Sequence, residues 1–158
     1  MKPLFSCVLL CMSTLLFAAN LIPNGDLKNP AGEKPYLRKF MKGGKDSPNL
    51  KTSFVVKEDG GSILLESSEA DGIAEVNYSR LPGVEAGKKY YLCYQFTPVS
   101  FGAGARTSCR IAFFDAAGKH LKNDFSPAHA VREAERQDFI HSFTAPAGTA
   151  RVNLTLWF

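Results

Sequence analysis

The sequence predicts an all-β chain, an antiparallel β-sandwich, on three observations. Short apolar runs recur at regular intervals and are broken by Gly, Pro, Asp and Asn. Several of these runs alternate apolar and polar residues with the period of two that a half-buried strand shows. No stretch of the chain carries the apolar stripe of an amphipathic helix.

Each element follows from its residues. "TSFVVKEDGG" reads as a strand over 53–57 and a turn, "SILLESS" as a strand over 62–66, and "IAEVNYS" as an alternating strand over 73–79. The turn-rich "LPGVEAGK" leads into "KYYLCYQFTPV", whose aromatic and apolar content makes 90–97 the most strand-like segment. After the loop "FGAGA", "CRIAFFD" gives a strand over 109–115 and "DAAGK" a turn. "SPAHAVREAERQ" is rich in Ala, Arg and Glu without an apolar face, and reads as a connection with one helical turn. "DFIHSFTAP" and "ARVNLTLWF" supply strands over 139–144 and 151–158, separated by the turn "PAGT".

The 158 residues divide into two parts. "MKP" followed by the uncharged "LFSCVLLCMSTLLFAA" has the layout of a signal peptide, with Ala18 and Ala19 as the cleavage zone. The run is too short for a membrane span, which takes about 20 apolar residues. Residues 1–19 are therefore expected to be removed, leaving 20–158 as one sandwich domain in a secreted, periplasmic or cell-surface location. Removal takes one lysine and lowers the formal charge from +4 to +3. That charge is spread along the chain without a basic block, which argues against a nucleic-acid partner.

Two cysteines then remain, Cys93 and Cys109. A bridge between them would close a loop of 15 residues, worth about 3 kcal/mol in the entropic account. Strand parity puts them on opposite faces, so both the disulfide and two separate thiols stay open. No Cys-x-x-Cys or Cys/His cluster suggests zinc. Catalytic constellations are missing too: His120 and His129 fall in polar turns, His141 shares strand parity with Phe139 and Phe143, and no G-x-S-x-G elbow occurs. The expectation is a chain that is not an enzyme.

Three stretches occur in a familiar order: "NLIPNGDL" at 20–27, "GKKYYLCYQF" at 87–96 and "FTAPAGTARVNLTLWF" at 143–158. Together they resemble the carbohydrate-binding modules of families 4 and 9, within the galactose-binding-like jelly rolls that accompany glycoside hydrolases. The resemblance implies a jelly roll with 53–57, 73–79, 151–158 and a connecting region in one sheet. It puts 62–66, 90–97, 109–115 and 139–144 in the other. On that scheme 90–97 pairs with 109–115 across "FGAGA", 151–158 is central between 53–57 and 73–79, and the pair Leu21–Ile22 tucks beneath the sandwich. Members commonly continue into a further strand, so an unpaired edge open to a second chain is expected, or a truncated gene product. They often hold a structural calcium near the first turn. Asp26 matches that position, whereas Lys28 stands where an acid is common.

The implied partner is a polysaccharide or oligosaccharide, recognised by aromatic faces and planar polar groups. Parity leaves Tyr91 and Gln95 outward on 90–97, and Arg110 and Phe114 outward on 109–115, so these four form the expected sugar-binding patch. Tyr78 and Trp157 read as packing residues. The alternative reading is a structural or protein-interaction sandwich that binds no sugar.

Overall fold

The computed structural model describes residues 21–22, 35–41, 51–57, 60–66, 72–81, 83–98, 104–132 and 135–158. Among them every regular element is a strand: β1 (Tyr36–Met41), β2 (Lys51–Lys57), β3 (Gly60–Glu66), β4 (Gly72–Leu81), β5 (Lys89–Phe96), β6 (Arg106–Phe114), β7 (His120–Phe125), β8 (His129–Ala130), β9 (Gln137–Thr144) and β10 (Arg151–Trp157). The residues read as a helical turn include β8, which pairs with Arg106 and Thr107 of β6.

The larger sheet runs β1-β4-β10-β6-β7, with β8 added beside β6; β2–β3 and β5–β9 are two-stranded. All pairings are antiparallel. The expectation that 90–97 and 139–144 share a sheet holds, since β5 lies in full register against β9, with Leu92 opposite His141. Two other expectations are corrected. β6 pairs with β10 and β7 rather than with β5. And β10 is central between β4 and β6, with β2 paired to β3 instead. β5 and β6, expected to pair as a hairpin, therefore belong to different sheets.

Alternation explains why the layers stick. On β5 the side chains of Tyr90, Leu92, Tyr94 and Phe96 turn inward, while Tyr91, Cys93 and Gln95 are exposed. On β6 Thr107, Cys109, Ile111 and Phe113 are buried, and on β10 Val152, Leu154 and Leu156. The inward rings of β5 and β9 stack in a ladder: Tyr90 on Phe143, Tyr94 on Phe139 and Phe96 on Phe139, at 5.2–5.6 Å between centroids. Such pairs contribute about 0.5–1.5 kcal/mol each beyond burial. Phe113 of β6 meets Phe143 across the layers at 5.8 Å. Tyr94 Oη and Thr107 Oγ1 share a hydrogen bond of 3.4 Å, and His141 joins Asp124 of β7 at 2.6 Å. Leu21 and Ile22 pack against this core as expected, although the Asn24–Asp26 turn lies outside the described residues.

Both cysteines are free thiols: Cys93 points outward on β5 and Cys109 is fully buried on β6, so the Cys93–Cys109 disulfide does not form. Parity decides this against spacing. Burial pushes the Cys109 thiol pKa up, against the opposing hydrogen bond from Ser126.

Candidate functional site

The face of the larger sheet turned away from the core is where polar and aromatic side chains gather. Glu75 and Asn77 come from β4, Thr155, Asn153 and Trp157 from β10, Arg110 and Phe114 from β6, and Asn123 and Phe125 from β7. The registers place them side by side: Asn77 opposite Thr155, Thr155 opposite Arg110, and Arg110 opposite Phe125. A groove of about 210 Å³ runs between them, with Asn77, Arg110, Phe114, Asn123, Asn153 and Thr155 in its lining.

A chain of hydrogen bonds crosses the sheet. Arg110 Nη2 donates to Thr155 Oγ1 at 3.1 Å, and Thr155 Oγ1 donates to Asn77 Oδ1 at 2.9 Å. Asn77 Nδ2 lies 3.5 Å from Glu75 Oε2, and Trp157 Nε1 donates to Glu75 Oε1 at 2.6 Å. Thr155 has outward parity yet is only 2% exposed, because its neighbours close over it. These bonds fix the planes of Asn77, Arg110 and Trp157 before any ligand arrives, which lowers the ordering cost of binding.

The aromatic part sits beside this network. Phe125 and Trp157 lie nearly parallel, 12° apart with centroids 6.3 Å apart, and Phe125 keeps 57% of its surface open. The Arg110 guanidinium covers the Trp157 ring at 5.4 Å. Trp157, read from sequence as packing, is instead part of this outer face; Tyr78 is buried in the core as read. At the other end Phe114 meets His120 edge-on and carries Arg151 over its ring at 5.2 Å. His120 Nε2 is 2.9 Å from Asn123 Oδ1.

A backbone irregularity shapes the groove. Val152 faces Leu81 and Leu154 faces Tyr78, so the two residues Ser79 and Arg80 oppose the single Asn153. Arg80 takes a left-handed φ of 58°, and its N–H donates to Asn153 Oδ1 at 2.9 Å. The β6–β7 turn adds a second constraint. Gly118 has a φ of 86°, and a Cβ there would lie 2.7 Å from Arg151 Nη2.

The four residues expected to form one patch do not meet. Arg110 and Phe114 lie on this face, whereas Tyr91 and Gln95 lie on the outer side of β5–β9, across the sandwich. The pairing of β6 with β10 rather than β5 separates them. Sequence reasoning missed Phe125, Asn123 and the outward role of Trp157. The outward parity of Asn153 and Thr155 was the available signal that β10 had a polar outer side.

Among the described residues no three His, Cys, Asp or Glu side chains gather. Asp26, matched to the calcium position by resemblance, lies outside those residues.

No family model and no curated protein matches the sequence. Among solved structures the chain is similar to the enzymatically active domain of tailspike protein 4 of bacteriophage CBA120, with 16% identity and a TM-score of 0.57. That match covers 84% of this chain and 18% of the tailspike chain. It is also similar to the CBM22-1-GH10 modules of Clostridium thermocellum xylanase 10B complexed with xylohexaose, at 12% identity and a TM-score of 0.47, over 78% of this chain and 24% of that one. A family 4 carbohydrate-binding module is similar at 12% identity and a TM-score of 0.44, over 87% and 94% of the two chains. The first of these is a likeness of fold alone. The chain is an antiparallel β-sandwich of the jelly-roll type.

Proposed function

We propose that the chain is a non-catalytic carbohydrate-binding module, exported after loss of residues 1–19, that holds a polysaccharide or oligosaccharide in the groove of the larger sheet. The observation that supports this most directly is the open Phe125 ring stacked beside Trp157, next to a guanidinium and three amides on one sheet face. A pyranose ring presents an apolar face to Phe125, while its hydroxyls take the planar donors and acceptors of Arg110, Asn123 and Asn153. Among the described residues Glu75 is the one carboxylate on this face, without a second to act with it as acid and base.

Affinity gel electrophoresis of residues 20–158 against soluble xylan, β-glucan, mannan and pectin tests the reading. Retardation by at least one glycan is expected, lost in Phe125→Ala and kept in Tyr91→Ala. Uniform mobility of the folded protein in every gel would overturn it.

A second reading, an interaction sandwich, has its own support. Tyr91 and Ile140 are 64% and 72% exposed on the outer side of β5–β9. Under that reading Ile140→Glu abolishes self-association or partner binding, while glycan retention is absent.

A further inference from the structure

Resting on the groove as a sugar site, we infer that its ligand is an acidic glycan whose uronate carboxylates are held by Arg110 and Arg151. Both guanidinium groups lie on the groove face, Arg110 opposite Thr155 and Arg151 opposite Phe114. They stand four residues apart along the β6–β10 ladder, roughly 13 Å at 3.3 Å per residue. Neither makes an ion pair among the described residues.

The charge balance of the face points the same way. Glu75 is its one carboxylate among the described residues; Trp157 and Asn77 both approach it, and no ion pair joins it to Arg110 or Arg151. Arg110 spends one donor on Thr155 and sits over the Trp157 ring, and its Nε is walled off without an acceptor. A cation drawn partly out of water with neutral contacts alone is costly, and a bound anion offsets that cost. Arg151 is likewise seated on a ring, with its tip against Gly118, where any larger residue would displace it. Neutral glycans would use the amides and Phe125 but leave both cations without a counter-charge.

The test compares polygalacturonate with its fully methyl-esterified form, the same backbone with its charge removed, in affinity gels and by calorimetry at constant ionic strength. Neutral β-glucan, arabinoxylan and polyglutamate complete the set, with alginate as a second uronate. Expected is retention by a uronate polymer at least 10-fold tighter than by the ester, weakened about 10-fold or more in Arg110→Gln and in Arg151→Gln, as loss of a charge-assisted bond implies. Comparison of the two ligands on the parent protein keeps the inference testable if a variant fails to fold. Equal binding of acid and ester, or a preference for neutral glycans, overturns the inference and leaves the sugar site standing. Equal retention by polyglutamate overturns it as mere charge attraction. Retention by no glycan removes the site reading and the inference together.

Discussion

Thr155 is the joint through which the groove's arginine is positioned, and replacing it with valine isolates that role. Valine keeps the shape and the strand preference of threonine and deletes the hydroxyl. Two hydrogen bonds go with it: the one to Asn77, worth about 1 kcal/mol, and the charged one from Arg110, worth about 1.5 kcal/mol at the low end because Arg110 is only partly buried. Burying a methyl in place of the hydroxyl returns up to about 0.8 kcal/mol. The net loss is therefore about 1.5–2 kcal/mol, or a fall in Tm of about 5–8 °C for a domain of this size. Urea and thermal unfolding of Thr155→Val, Arg110→Gln and the double variant measure both the loss and the coupling. A coupling of about 1 kcal/mol is expected between the two positions. Stability within 0.5 kcal/mol of the parent, or independent effects in the cycle, would refute the positioning argument.

Phe113 is fully buried and meets Phe143 across the layers, so Phe113→Ala is expected to cost about 3–5 kcal/mol in urea unfolding. Asp124→Asn weakens the 2.6 Å inter-layer bond to His141, and a loss of about 1–3 kcal/mol is expected by the same measurement, with glycan retention intact if the sheet face is undisturbed. Of the two sandwich thiols, Cys93 is expected to react with a thiol reagent in the folded protein and Cys109 only after unfolding; rapid labelling of both would contradict the burial of Cys109. Because the folded Cys109 pKa is raised above 9.0, its neutral form contributes stability that is fully present below pH 9 and is lost as pH rises through the folded value. Cys109→Ala should flatten the alkaline limb of the stability profile, and an unchanged limb would count against that origin.

Much of the layer-level architecture was legible because strand parity is a local property. "KYYLCYQF" announces its inward Tyr90, Leu92, Tyr94 and Phe96 by alternation alone, and "RVNLTLW" does the same for Val152, Leu154 and Leu156. Which strand lies beside which is not local. The glycine loop before β6 looked like a hairpin, but both inward faces are apolar and either partner would satisfy the pattern. Only cross-strand packing of β6 against β10 decides it, and that displaced half of the expected patch. β7 escaped notice for a different reason. "HLKNDF" is a polar strand at the end of the larger sheet, where no apolar alternation is required, yet it carries Asn123 into the groove and Phe125 beside Trp157 on the same face. Trp157 shares the outward parity of Asn153 and Thr155, and Glu75 anchors its indole nitrogen on that face, a partner that comes from a distant strand.

The strands that hold the sandwich together also line the groove, on alternate residues. β6 and β10 thus carry two interleaved messages, one addressed to the core and one to whatever lies outside. Substitutions at Arg110, Phe114, Asn153 or Trp157 can change the outer face while Ile111, Phe113, Val152 and Leu154 go on holding the fold. A one-residue insertion in either strand does the opposite, sending arginine and asparagine into the core and isoleucine and valine into the groove. Variation along this lineage is therefore expected to move by exchange of side chains at odd or even positions of these strands, with changes of length confined to the turns between them.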